Sequence, residues 1–277
     1  MVAVILTATA CGTAMQESAD SSVSSGAGAS DSVSETATSS PAPTGQASWS
    51  YAGDTGPDHW GDIAPGCATT PDSAESPIDI DKAALAAGPA DAVTVRYTPA
   101  AFEAENDGHT VESVPDDTKQ NSITIAGSPY YLQQFHFHAE SEHRIDGVNA
   151  PMELHLVHKN DAGQLAVLGV LLESGAASEP LAELFSSIPA QENEDAPVEL
   201  QHEIDLGLVI PTDPTLAQYQ GSLTTPPCTE GVRWNVFLTP MTLSAEQIAA
   251  YTAVFTGNSR PVQPLNHRTV VQAVAGG

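Results

Sequence analysis

The segment YYLQQFHFH, residues 130–138, constrains this chain more than any other stretch. From Gln134 to His138 its polar and aromatic residues alternate, which is the period of an extended strand, where residues two apart share a face. Gln134, His136 and His138 therefore fall on one face, and Phe135 and Phe137 on the other. MELHLVHK, residues 152–159, repeats the pattern, with Glu153 and His155 on one face and Leu154 and Leu156 turned to a core. The gap between the segments suits an antiparallel return that sets His155 beside the first two histidines. Three neutral imidazoles with a fourth position open to water form the donor set of a catalytic zinc site. Taken singly, each histidine reads as a satisfied polar residue. Gln134 and Glu153 favour the metal, because each lies two residues before a candidate ligand and can accept its free ring N–H. Zinc-binding imidazoles need such a partner to fix tautomer and basicity.

Further strands are expected at VTVRY (93–97), HTVESV (109–114), SITIA (122–126), LAVLGVLLES (165–174) and VRWNVFL (232–238), with turn residues between them. The fold class is mainly β (α+β), a large sheet buried on both faces with a polar site on one of them. Helices are few. Ser178-Glu179-Pro180 opens PLAELFSSI with proline in the first turn. Ser244 and Gln247 form a capping box ahead of IAAYTAVF, with Gly257 expected to close that helix and Ile248, Tyr251 and Phe255 forming one stripe.

The chain divides near residue 48. Residues 1–11 end in TATA and Cys11, like the end of a bacterial lipoprotein leader, although the basic start and the longer apolar run of a leader are missing. Residues 12–48 are rich in Ser, Ala and Thr and read as a flexible tether. Residues 49–277 read as one packed domain. The expected location is the outer face of the cell membrane, anchored through a lipid on Cys11, or otherwise secreted or periplasmic. With Cys11 so used, Cys67 and Cys228 are left to pair, the alternative being two buried free thiols. The net charge of −27 repels nucleic acid and anionic membranes, and it suits a saline habitat.

One rival uses the same letters. His136-x-His138 with Glu142 and Gly147 following resembles the first metal motif of cupins, which bind iron or manganese, and Glu142 would then be a ligand. The second cupin motif needs a glycine between its proline and histidine, and Pro151-Met-Glu-Leu-His155 lacks it.

QFHFHAESEH, ELHLVH, LAVLGVLLE, YQGSLTTPPC, VRW and RPVQPLN, in that order from about Trp49 to Arg268, resemble the α-class carbonic anhydrases. The resemblance implies a large, twisted, mostly antiparallel central sheet with short peripheral helices. It also implies reversible hydration of carbon dioxide to bicarbonate and a proton by zinc-bound hydroxide, with side esterase activity. Carried onto this chain, it makes His136, His138 and His155 the ligands of one Zn2+, with Gln134 and Glu153 orienting them. Thr224 becomes the gate that accepts from hydroxide and donates to Glu142, and His109 becomes the proton shuttle. Val157, Val167, Leu223, Val232 and Trp234 become the apolar substrate wall, with Thr225 beside it. Sulfonamides and anions become expected inhibitors.

Two departures stand out. Ala139 occupies a position where the family has an aromatic residue, and His158-Lys159-Asn160 lacks the tryptophan common before the asparagine. A zinc esterase and a non-catalytic binding module are the alternative functions; intact histidines, Thr224 and Glu142 argue against the latter.

Overall fold

The computed structural model describes residues 48–276, so the expected leader, Cys11 and the expected tether as far as residue 47 lie outside the described residues. Among the described residues there are fourteen strands, twelve of them in one large twisted sheet. Most pairings are antiparallel. The parallel ones in this sheet join Leu165–Ser174 to Glu230–Phe237 and to Met241–Leu243, and join Val271–Gly276 to Val93–Arg96. The fold is thus mainly β, as expected. Strands Phe102–Asn106, Thr215–Ser222 and Val271–Gly276 were not anticipated. In the first, Phe102 and Ala104 are buried between Glu103 and Glu105, and glutamate and alanine carry little strand propensity to reveal it.

Three strands build the centre of the molecule. Ser128–His138 pairs antiparallel with Met152–Lys159, which pairs antiparallel with Leu165–Ser174. The last strand is a continuous apolar run because both its faces are covered. Ala166, Leu168, Val170 and Leu172 enter the larger core cluster with Phe135, Phe137, Leu154 and Leu156. Val167 and Leu171 enter a second cluster with Val232, Trp234 and Val236.

A register shift between Leu132 and Gln134 interrupts the first pairing. Before it, the even-numbered Tyr130 and Leu132 face the larger core; after it, the odd-numbered Phe135 and Phe137 do. The bulge adds one residue and so reverses which side chains face which way. It is what turns Gln134, His136 and His138 away from the core.

The capping box forms as expected: Ser244 Oγ accepts from Gln247 N–H, and Gln247 Oε1 accepts from Ser244 N–H. The helix it opens runs Ala245–Thr252, with Ala253 as its C-cap, so Gly257 does not close it. The Tyr251 carbonyl instead accepts from both Val254 and Phe255 N–H, a tightened last turn that satisfies the helix end without glycine. Gly257, at φ +67°, shapes the turn that leads into Asn258. Tyr251 and Phe255 are buried in the larger core with Ile248 packed against it, as the stripe predicts. Cys67 and Cys228 form a disulfide across a sequence separation of 161 residues. No helix among the described residues is long and apolar enough to cross a membrane.

Candidate metal centre

His136 and His155 are direct cross-strand partners, and His138 lies two residues further along the first strand. One ring nitrogen from each of the three falls within a cluster no wider than 4.8 Å. His136 Nε2 and His138 Nε2 are 3.1 Å apart. The nitrogens turned away from the cluster each meet an oxygen. His136 Nδ1 lies 2.8 Å from Gln134 Oε1, His138 Nδ1 lies 2.7 Å from the Asn258 carbonyl, and His155 Nε2 lies 3.0 Å from Glu153 Oε1.

Those contacts determine the protons. A carbonyl or carboxylate oxygen only accepts, so each outward nitrogen carries the N–H and each inward nitrogen of a neutral ring is a lone pair. The rings are neutral: burial, then the neighbouring imidazoles, hold His136 well below its usual range, and burial brings His138 down to about 4. Burial also lowers His155, outweighing the opposing pull of Glu153. Three lone pairs therefore converge with no proton between them. That arrangement repels itself unless a cation sits among the donors, and three imidazole nitrogens are the donors zinc takes.

The supports of the three rings are themselves tied down. Glu153 Oε2 accepts the backbone N–H of both Glu142 and His143, and Glu153 Oε1 lies 2.7 Å from His143 Nδ1. His143 Nε2 reaches Tyr219 Oη at 2.6 Å, so His143 braces Glu153 and is not a ligand of the cluster. Glu153 is held well below the carboxylate range because His143 and His155 outweigh its burial. Gln134 Nε2 donates to Glu112 Oε1 over 2.8 Å. Asn258 and Glu112 were both missed from sequence. Asn258 also pins Ala139, whose N–H donates to Asn258 Oδ1 over 2.8 Å, so the small residue after His138 is fixed by hydrogen bonds where an aromatic ring was expected.

Glu142 is buried beside the cluster, its Oε2 lying 3.5 Å from His138 Nε2 and 4.0 Å from His155 Nδ1, two of the inward nitrogens. Its Oε1 accepts the Arg260 N–H over 2.8 Å, while Oε2 accepts no hydrogen bond among the described residues. Burial pushes Glu142 up to about 7 against the opposing effects of His155, the Arg260 N–H and the Thr224 hydroxyl. Thr224 is thus close enough to favour the carboxylate without completing a hydrogen bond to Oε2.

The cluster opens into a cavity of about 280 Å³. Its polar wall carries Asp107, His109, Thr110, Glu112 and Gln134, and its apolar wall Val157, Leu165, Val167, Leu223 and Trp234, with Thr224 and Thr225 beside it. Leu165 was not anticipated. Val232, expected on the wall, does not line this cavity; it is buried in one cluster with Val167 and Trp234, which do. His109 stands at the cavity with its ring stacked on Trp49, centroids 3.7 Å apart.

Residues 55–274 match the family described as eukaryotic-type carbonic anhydrase. A carbonic anhydrase of Klebsiella pneumoniae is 41 % identical over 226 residues, covering 81 % of this chain and 90 % of that protein. One from a Nostoc species is 38 % identical over 239 residues, covering 85 % and 89 %. Among solved structures, the α-carbonic anhydrase of Thermovibrio ammonificans in complex with the inhibitor sulfanilamide superposes with a TM-score of 0.76 at 38 % identity, covering 82 % of this chain and all of that one. Converging imidazoles beside a half-apolar cavity, on a sheet shared with these proteins, leave one assignment: the chain belongs to the α-class carbonic anhydrases, which catalyse the zinc-dependent hydration of carbon dioxide.

Proposed function

We propose that residues 49–277 are the catalytic domain, that His136 and His138 through Nε2 and His155 through Nδ1 hold one zinc ion, and that carbon dioxide is hydrated beside them. The observation that carries this reading is the set of three inward lone pairs, each fixed by an outward acceptor. Bound zinc supplies a lowered pKa for coordinated water, a general property of which carbonic anhydrases are the type case.

The protein's own residues aim the reaction. Glu142 has Oε1 taken by Arg260 and Oε2 free, so it is the acceptor for the single proton of the Thr224 hydroxyl. With that proton given away, Thr224 Oγ1 can only accept. The attacking oxygen must then donate to it, which leaves a lone pair directed at the substrate carbon. The Thr224 backbone N–H holds a substrate oxygen, and Thr225 lines the same side. Carbon dioxide offers no strong hydrogen bond, so Val157, Val167, Leu223 and Trp234 hold it by apolar contact, with Val232 packed behind them. His109 passes the released proton outward, because imidazole as a residue type exchanges protons near neutrality.

The same nucleophile attacks activated esters as a side activity. Sulfonamides and small anions are the expected inhibitors, and the Thermovibrio enzyme forms a complex with the inhibitor sulfanilamide. The disulfide supports an oxidising location outside the cytoplasm. That location is the outer face of the cell membrane, reached through residues 12–48 as a tether and a lipid on Cys11, or otherwise a secreted or periplasmic one.

Stopped-flow hydration with metal analysis of the purified chain tests the reading. One zinc per chain and sulfonamide-sensitive hydration are expected, and a zinc-free active protein would overturn it. His109→Ala should slow turnover while keeping zinc, with partial rescue by imidazole buffer. If neither effect appears, the shuttle assignment falls.

A further inference from the structure

The three imidazoles do not rest on equivalent partners. His138 faces a backbone carbonyl and His155 faces a carboxylate, and both of these can only accept. His136 faces a glutamine amide, which has an acceptor at one end and donors at the other. A half-turn about the last side-chain bond exchanges the two ends at almost no steric cost.

The two orientations have opposite consequences for the metal. With Gln134 Oε1 toward the ring, His136 Nδ1 carries the proton and Nε2 offers its lone pair to the centre. With Gln134 Nε2 toward the ring, Nδ1 must accept, the proton moves to Nε2, and an N–H points where a ligand bond is needed. Nothing within Gln134 chooses between them. The choice is made at the far end of the amide, where Gln134 Nε2 meets Glu112 Oε1 at 2.8 Å. Burial, then the nearby Asp107, Glu105 and Glu194, push Glu112 up to about 7. Above that pH the ionised carboxylate accepts from the amide nitrogen and has no proton to give the amide oxygen.

We propose that Glu112 is a positioning residue: by fixing the orientation of the Gln134 amide, it sets the tautomer of His136 that binds metal. This rests on the reading of His136 as a zinc ligand. Its place in the fold suits the task. Glu112 stands on strand Val111–Pro115, beside the strand that carries Gln134 and His136, and both residues line the same cavity. The directly opposite residue on the other neighbouring strand is Glu105, so the surroundings supply no competing donor from that position.

The test is zinc affinity by chelator competition at pH 8, together with 15N NMR of the metal-free protein to read the His136 tautomer. Glu112→Met removes the acceptor with little change in volume. It should raise the zinc Kd about tenfold, the low end of the range for groups that orient metal ligands, and shift His136 toward the Nε2–H tautomer. Glu112→Gln keeps the shape and brings its own ambiguous amide, so it should give a mixture of tautomers. In a Gln134→Leu background, Glu112→Met should cost no further affinity, because the effect passes through that amide. Wild-type affinity in Glu112→Met, a wild-type tautomer in Glu112→Gln, or additive losses in the double variant would each overturn the proposal. His136→Ala separates it from the underlying reading: if that variant kept full zinc affinity, the zinc assignment itself would fall.

Discussion

His136 and His155 face each other directly across two antiparallel strands, yet they turn different ring nitrogens to the space between them, Nε2 from the first and Nδ1 from the second. The nitrogen left for the centre is the one its neighbour did not take: Gln134 occupies His136 Nδ1, and Glu153 occupies His155 Nε2. A cross-strand pair is held by the sheet itself, so two of the three donors need no loop to bring them together. Their spacing survives as long as the strands stay in register.

Replacing His155 should therefore be worse than removing any orienting group. His155→Ala deletes a donor and leaves Glu153 Oε1 with His143 alone. Zinc occupancy and hydration should be lost together, by more than the ten- to hundredfold expected for orienting partners. Chelator competition and stopped-flow assays measure this, and hydration that persisted would contradict the assignment.

Gly169 should be almost as sensitive without touching the metal. It is the partner of His155 on the next strand, and a Cβ there would come within 3.0 Å of Glu153 Oε1. That carboxylate cannot move aside freely, since four groups hold it: Glu142 N–H, His143 N–H, His143 Nδ1 and His155 Nε2. Gly169→Ala should cost about 1–3 kcal/mol of stability, as overpacking does, and weaken zinc binding by disturbing the His155 support. Urea unfolding and zinc titration of the one variant test both effects, and wild-type values in both would show that Glu153 is not confined.

The metal cluster was legible because its donors come from two nearby strands, where a period of two assigns faces from residue order alone. The bulge at Gln133 was not legible, since one extra residue in a run of aromatic and polar letters leaves no mark. The alternation after it happened to be the stretch that carries His136 and His138. Asn258 was hidden for a different reason: it supports His138 through a backbone carbonyl from 120 residues away, and every residue type offers that group. Glu112 was one acid among 35 Asp and Glu, and only strand pairing sets it beside Gln134. Val232 shows the converse difficulty, because a buried valine looks the same on a cavity wall as one layer behind it.

His158 gives a prediction about acid. It is fully buried away from the metal, with Tyr97 Oη 2.8 Å from its Nε2, and burial lowers it to about 3. The folded state holds this ring neutral, whereas the unfolded chain protonates it near 6.5. Below 6.5 the unfolded state therefore binds the extra proton, and the stability present above that pH is lost as pH falls toward 3. Between pH 7 and pH 4.5 the loss from this one residue is about 2–3 kcal/mol. His158→Gln, which cannot titrate, should show an acid-induced loss smaller by about that amount in urea unfolding at the two pH values. Equal losses in variant and wild type would place the acid sensitivity elsewhere, in the three converging imidazoles.

The disulfide should matter more to the reaction than to the metal. Cys228 follows Thr224 and Thr225 in one loop, where its N–H donates to the Thr225 carbonyl over 2.8 Å. At the other end, the Cys67 carbonyl accepts from Arg260 Nη2 over 3.2 Å, and the Arg260 N–H holds Glu142 Oε1. One bridge thus anchors both the threonine and the carboxylate that is to receive its proton, while the three histidines ride on sheet strands that the bridge does not touch. A loop closed across 161 residues contributes about 5 kcal/mol in the chain-entropy treatment. Paired replacement of Cys67 and Cys228 by alanine should therefore lower stability by several kcal/mol. In the fraction that remains folded, kcat for hydration should fall while zinc affinity holds. A variant that lost zinc and activity in parallel would instead mean that the bridge supports the strands, and one that kept full kcat would mean that the Thr224 loop holds its place unaided.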